Sequence, residues 1–227
     1  MWQKISIIIP TLNEAHSIVT CLQKLQALRQ LGHEIVLIDG QSQDQTVELA
    51  KPYVDRLISC QKGRARQQRL GAKMATGQVF LFLHADTQLP ENADQAMLLA
   101  LAEGFFWGRF NVRLSGSYWA FRIIEQMMNW RSCLTQIVTG DHAIFVAKML
   151  YLDSGGIPEL ALMEDIEFSR QLKRFCKPKC LSKTVITSSR RWEKNGLLKT
   201  IFFMWQLRLQ YFFGTSADTL VKKYYPK

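Results

Sequence analysis

The chain has 227 residues, 48% of them hydrophobic, with 29 Lys and Arg against 19 Asp and Glu and a formal net charge of +10. That length supports one well-buried core and is short for two, so a single domain with an appendage is expected. The positive balance points to acidic company (phosphorylated ligands, an anionic membrane surface or nucleic acid) without choosing among them.

The opening Met1-Trp2-Gln3-Lys4 and the run Ile5 to Ile9 are too short for a secretory h-region and lack a small-residue cleavage site, so they read as a first strand. The strand ends at Pro10-Thr11-Leu12-Asn13-Glu14, after which Ile18, Cys21, Leu22, Leu25 and Leu28 keep a helical period. Gly32-His33 turns the chain into a second strand, Glu34 to Ile38, which halts at Asp39-Gly40. Ser42-Gln43-Asp44-Gln45 resembles a capping box for a short helix through Val47, Leu49 and Ala50. A third strand, Arg56 to Cys60, precedes a helix that opens at Gly63-Arg64-Ala65-Arg66 and is ended by Gly77.

The unbroken apolar run Val79 to Leu83 reads as a strand buried on both faces, and it stops at His84-Ala85-Asp86-Thr87-Gln88. In an extended chain His84, Asp86 and Gln88 share one side. Strand-helix alternation of this kind predicts an α/β fold with a mostly parallel central sheet flanked by helices. Pro10 to Glu14, Asp39 and His84 to Gln88 then gather at one edge, outside the carboxyl ends of the strands, where such sheets bind small molecules. The Gly-rich signatures of dinucleotide-binding folds and P-loops are absent from this edge.

Pro-Thr-Leu-Asn-Glu after the first strand, Asp39 after the second and His-Ala-Asp after the fourth resemble the nucleotide-sugar half of glycosyltransferase family 2. The resemblance extends over most of the chain. It implies the GT-A fold, with a Rossmann-like nucleotide-binding half, and inverting transfer from a nucleoside diphosphate-sugar, usually with Mn²⁺ or Mg²⁺ on an Asp-x-Asp motif. It further implies that Pro10, Thr11, Asn13 and Glu14 line the nucleoside, and that Asp39 accepts a hydrogen bond from the base. Gly63, Arg64, Ala65 and Arg66 would flank the base and diphosphate, where a helix N-terminus and fixed cations favour phosphate, while Arg69 reads as a solvated helix residue. His84 and Ala85 fall in the donor site. Asp86 takes the position of the second acid and Gln88 that of a Gln that reaches the metal in polyprenyl-phosphate sugar transferases. His84 stands where the first acid belongs, which leaves metal dependence open.

An Ala- and Leu-rich helix follows Pro90 as far as Glu103, and Gly108 to Leu114 then alternates, with Arg109, Asn111 and Arg113 on one face. Arg109 and Arg113 are candidates for meeting an acidic acceptor, with a solvated strand face expected for at least one of them. Ser117 to Val138 is helical and rich in Trp, Met and Phe; Ala143 to Ala147 is a strand. Leu162-Met163-Glu164-Asp165-Ile166-Glu167 resembles the Glu-Asp motif of the family. The resemblance makes Asp165 the base for the acceptor hydroxyl, with Glu164 beside it, or a positioning group if the acceptor is a lipid phosphate. Thr187 to Trp192 is similar to the Gln-x-x-Arg-Trp element of processive members, with Ser188 in the Gln position. Arg191 would neutralise the diphosphate and Trp192 would stack on the acceptor.

Residues 196–213 carry a broad apolar helix face, interrupted for membrane spanning by Lys199, Gln206, Arg208 and Gln210. This segment is expected as an appendage, residues 196–227, to a catalytic domain of residues 1–195. It would lie on the core, on a second subunit in a homodimer, or peripherally on a membrane. Lys222 and Lys223, with Tyr224 and Tyr225, leave the tail basic. Five cysteines, Cys21, Cys60, Cys133, Cys176 and Cys180, show no framework spacing, which predicts reduced thiols and a cytoplasmic location. The expected partners are a nucleoside diphosphate-sugar and a sugar, lipid or polyprenyl-phosphate acceptor, and no nucleic acid. The main alternative is a non-enzymatic basic protein that binds membrane or RNA, whose RNA-recognition pattern of aromatic and basic residues is missing, and after it a sugar-phosphate nucleotidyltransferase, whose Gly-rich, Arg-containing N-terminal signature is missing.

Overall fold

The computed structural model describes residues 3–224; Met1, Trp2 and Tyr225 of the expected first strand and tail lie outside the described residues. Strands β1 (Ile5–Thr11), β2 (Glu34–Asp39), β3 (Arg56–Ser59), β4 (Val79–Phe82), β5 (Trp107–Leu114), β6 (Phe145–Ala147) and β7 (Lys179–Thr187) form one sheet. Their spatial order is β3-β2-β1-β4-β6-β5-β7. β1 to β4 run parallel, β6 is antiparallel to both neighbours, and β7 is parallel to β5, so the mostly parallel sheet holds with one exception. The helices are α1 (Ala15–Gln30), α2 (Thr46–Ala50), α3 (Arg64–Met74), α4 (Ala93–Ala102), α5 (Trp119–Thr135), α6 (Lys148–Asp153), α7 (Glu164–Leu172), α8 (Arg190–Asn195), α9 (Leu197–Phe212) and α10 (Ala217–Tyr224).

The continuous β-branched runs of β1 and β2 are buried on both faces because helices cover both sides of the sheet. Helix α3 comes close enough that a Cβ on Gly71 would run into the Ile8 side chain and stand 3.2 Å from Ile38 Cγ1. Gly71→Ala is therefore expected to destabilise the fold by about 1–3 kcal/mol, since both isoleucines sit in a filled core. Urea titration measures this, and a midpoint at or above wild type would contradict the close approach. The same helix carries Gln67, buried, whose Nε2 donates to the carbonyls of Thr11 and Ile38 at 2.8 Å each. That side chain ties together the ends of β1 and β2, where the site is built.

Several local expectations change. No capping box forms at Ser42, which instead donates to Asp39, while Asp44 Oδ1 receives the Thr46 amide and hydroxyl and Asp44 Oδ2 receives the Ala15 amide. The acid at position 44 thus holds the start of two helices. Arg109 does not share a solvated or acceptor-facing side with Arg113. A register irregularity between Arg109 and Asn111 accompanies an inward turn of Arg109, only 2% exposed, whose guanidinium donates to Asn129 O at 2.7 Å and to Phe110 O at 3.1 Å. Burial pulls it down to about 10, which leaves it charged at neutral pH. Arg113 is exposed.

The reduced-thiol expectation fails for one pair: Cys133 of α5 and Cys180 of β7 form a disulfide, with Cα atoms 6.1 Å apart. The cytoplasmic expectation thereby loses part of its basis. At the C-terminal end, Leu207 and Leu220 are buried against Leu162, Met163 and Ile166, which flank Asp165. Leu197 and Ile201 pack against Phe121 and Ile124 of α5. Among the described residues no helix is long and apolar enough to cross a membrane.

Candidate active site

The edge at the carboxyl ends of β1, β2 and β4 is assembled from short loops with unusual backbone. Asn13, Gln41, Ala143 and Met163 all take left-handed φ of 50° to 67°. For Ala143 and Met163 that conformation is costly and must be held by the surroundings, a pattern concentrated at functional sites. Asn13 receives the Gln43 amide on Oδ1 at 2.8 Å and gives its own amide to Ser42 Oγ at 2.9 Å, while Glu14 gives its amide to Thr46 Oγ1 at 2.8 Å. Asp39, buried, receives Ser42 N at 2.9 Å on one oxygen and the Ser42 hydroxyl on the other. The loops after β1 and β2 therefore brace one another, with Pro10 and Thr11 at the base and Gly63 opening α3 nearby in the sheet order.

After β4 the chain does not stay extended. Thr87 N donates to His84 O at 3.0 Å, closing a turn, so His84, Asp86 and Gln88 do not align on one side as expected. Ala85 is buried, and the three polar groups go to different partners. Gln88 Oε1 accepts from Lys24 Nζ. His84 Nδ1 lies 3.6 Å from Asp141 Oδ1, and its Nε2 is buried without a hydrogen-bond partner. Asp141 is held below the usual carboxylate range: burial acts to raise it, and the adjacent His84 imidazole outweighs that. Asp86 stays partly open, with Oδ2 3.5 Å from Arg190 Nη2.

Arg190 is the residue that the sequence reading missed. The same Nη2 lies 3.3 Å from Glu14 Oε2, so one guanidinium spans carboxylates that follow β1 and β4. Ser188 Oγ receives Arg190 Nε at 3.0 Å and holds the side chain in place. Strand β7 delivers this segment: Gln88 and Ile186 pair through both backbone groups, and Thr87 Oγ1 donates to Thr187 Oγ1 at 2.9 Å. Arg191, the expected diphosphate partner, instead places its guanidinium 4.1 Å from the Tyr224 ring centroid. Trp192 is half-buried against Leu114, Phe121 and Ile124 rather than set out for stacking on an acceptor. The signal available in the sequence was the pair Arg190-Arg191; which one turned inward was set by the helix α8 that they begin.

Asp165 stands in the first turn of α7 as expected and is partly exposed. Gly140 N donates to its Oδ2 at 2.9 Å. Burial and the neighbouring Glu164 carboxylate push its pKa up, against the opposing pull of Arg64 and of the Gly140 hydrogen bond. Glu164 is buried and ion-paired to Arg64, while Arg66 pairs with Glu159 at 2.9 Å. The Arg64–Glu164 pair joins the start of α3 to the start of α7 and, with Phe82, Gly140 and Asp165, lines a narrow pocket. Arg69 donates to Ile157 O at 2.7 Å from an otherwise exposed position. Gly140 lies between the two halves: a Cβ on it would stand 2.5 Å from His84 Nε2.

Among the described residues no group of three His, Cys, Asp or Glu could hold a metal ion. Asp86 and Glu14 do converge on one point, now occupied by Arg190 Nη2. Two hard oxygen donors plus substrate phosphates fit Mg²⁺ or Mn²⁺, which commonly take few protein carboxylates. Gln88 and His84, committed to Lys24 and Asp141, do not contribute in this arrangement.

The fold recurs in solved structures. TarS from S. aureus in complex with UDP-GlcNAc superposes with a TM-score of 0.69 at 19% identity, over 82% of this chain and 58% of that one. Glucosyl-3-phosphoglycerate synthase from Mycobacterium tuberculosis, in complex with Mg²⁺ and UDP, gives 0.59 at 16% identity, over 82% and 70%. Among curated proteins, the uncharacterized glycosyltransferase YibD of Escherichia coli is 30% identical over 139 residues, 58% of this chain and 38% of that protein. The dolichol-phosphate mannosyltransferase of Pyrococcus furiosus is 33% identical over 108 residues, 44% of this chain and 31% of that one. The chain thus spans well under half the length of these two relatives. The family model for glycosyl transferase family 2 matches residues 6–151, from within β1 through β6 and into α6. Together with the GT-A arrangement of the sheet, that match places the chain in glycosyltransferase family 2.

Proposed function

We propose that the protein transfers a sugar from a nucleoside diphosphate-sugar to an acceptor hydroxyl, with inversion at the anomeric carbon. The observation that carries this reading is the single guanidinium of Arg190 spanning Glu14 and Asp86 at the strand-end edge, where Gly140 joins the His84 turn to Asp165. In this reading the braced loops after β1 and β2 receive the nucleoside. Pro10, Thr11 and Asn13 line it, Glu14 lies toward the ribose, and Asp39 offers its spare lone pairs to the base. The start of α3, at Gly63 and Arg64, faces the diphosphate, where a helix N-terminus favours anionic phosphate.

Asp165 takes the proton of the acceptor hydroxyl as its oxygen attacks the anomeric carbon opposite the leaving diphosphate. Its raised pKa makes it a better base than a solvent-exposed carboxylate, and Gly140 N–H keeps the other oxygen oriented. Arg190 releases the two carboxylates and moves onto the developing negative charge of the diphosphate, a two-contact role suited to a guanidinium. Asp141 holds His84 by Nδ1, which leaves Nε2 turned toward Gly140. When bound, a divalent ion held by Asp86 and Glu14 would supply further positive charge to the diphosphate.

A melting-temperature panel of UDP, GDP, CDP and dTDP, each with and without Mn²⁺, tests the donor half. One nucleotide is expected to raise the melting temperature, by mass action on the folded state. An increase that needs Mn²⁺ would support the ion at Asp86. No increase with any nucleotide would sink the reading and favour the non-enzymatic alternative.

A further inference from the structure

Helices α5 and α9 bury one face each, and the faces turned away carry large apolar side chains. On α5 these are Ile123, Met127, Trp130 and Leu134, each at least 50% exposed; on α9 they are Leu198, Phe202, Trp205, Leu209 and Phe212, each at least 57% exposed. Within each helix the spacing is three or four residues, so each set is one stripe. The two helices touch through Leu197 and Ile201 against Phe121 and Ile124, which makes the stripes neighbours on the surface. Isolated exposed apolar residues need no explanation, but two adjoining stripes of this size mark an interaction site.

We propose that this face docks on an anionic lipid bilayer. The charge around it selects that occupant. Leaving aside Arg190, which spans Glu14 and Asp86, the exposed charges of helices α5, α8, α9 and α10 are Arg191, Lys194, Lys199, Lys222 and Lys223 against Glu193 and Asp218, and α9 has no acid at all. A second copy of the chain, paired through the same face about a two-fold axis, would set this positive surplus against itself. A bilayer with anionic headgroups meets both features at once, taking the Trp and Phe side chains at its interface and the Lys and Arg at its surface. Leu207, on the inner side of α9, is buried against Leu162, Met163 and Ile166, so the docked helix is the one that supports the Asp165 turn. That orientation of the cleft toward lipid rests on the transfer reading; the adhesion itself does not.

The test is flotation of the full chain with phosphatidylcholine vesicles, with and without phosphatidylglycerol. Binding is expected to be at least about tenfold stronger with phosphatidylglycerol and to weaken in high salt. Trp130→Ser/Phe202→Ser/Trp205→Ser, three exposed positions, is expected to reduce it about tenfold while its melting temperature stays near that of wild type. Lys199→Glu is expected to weaken binding to the anionic vesicles selectively. Absence of flotation with either vesicle, or unchanged flotation of the triple variant, would overturn the proposal. So would a dimer in sedimentation that the triple variant converts to monomer, because the face would then belong to a second copy. Nucleotide-induced melting shifts in the lipid-free protein report on the donor site separately.

Discussion

Asp165→Asn is expected to lower sugar transfer by about 10²- to 10⁴-fold, the range for loss of a general base. The variant is also expected to be no less stable than wild type. Burial and Glu164 raise the Asp165 pKa in the folded chain above its unfolded value, so the ionised carboxylate is disfavoured by folding. The stability associated with this group is complete at low pH, below the unfolded value, and is lost as pH rises through the raised one. Asn carries no charge and its one oxygen can still accept the Gly140 amide, so the substitution removes the penalty and keeps the bond that orients the loop, giving up only the local bond from the Ile166 amide to the second oxygen at 2.8 Å. Wild-type transfer should fall as the pH drops through the raised value, while the residual rate of the variant should lack that inflection. Calorimetry beside a nucleoside diphosphate release assay measures both quantities. Full activity in the variant would remove Asp165 from the chemistry, and a melting temperature several degrees lower would make its role structural.

Arg190→Ala is expected to reduce the transfer rate by about 10²- to 10³-fold, as found when one preorganised electrostatic contact to a developing charge is lost. Arg191→Ala should change it by less than about tenfold, because a guanidinium set over an aromatic ring at the surface contributes packing rather than charge in the cleft. The contrast is informative since the two residues are adjacent and chemically identical. Arg190 and its two carboxylates are all partly exposed, so little of the effect should appear in stability. Lysine at position 190 would keep the charge but not the planar fork, and an intermediate rate is expected. Equal losses in Arg190→Ala and Arg191→Ala would contradict the assignment of the inward residue.

Much of the architecture was legible because the chain states it locally. Ile5 to Ile9, Glu34 to Ile38 and Val79 to Leu83 are continuous apolar runs that only a covered parallel sheet can bury, and each ends at a polar cluster. Asp165 was equally legible, since acids after a turn and before a helical period mark a first helical turn. Strand β7 was not expected. As an edge strand it buries only Leu181, Val185 and Thr187, and its exposed Ser182 and Lys183 break the alternation, so the stretch resembles a loop. Missing it hid the route by which residues 188–192 reach the cleft, and with it the choice between Arg190 and Arg191. The alignment of His84, Asp86 and Gln88 failed for a related reason: strand periodicity was extended past Phe82, where a turn hydrogen bond already bends the chain.

By itself the sequence determined which strands are buried, where they end, and therefore at which edge the candidate site is gathered. Those properties follow from side-chain hydrophobicity and backbone periodicity, which act over a few residues. Tertiary structure alone decided that Arg190 spans Glu14 and Asp86, that His84 pairs with Asp141, that Arg109 is a buried brace, and that Cys133 meets Cys180. Each of those depends on groups tens to more than a hundred residues apart being brought together by sheet order and register. No local pattern encodes such a meeting.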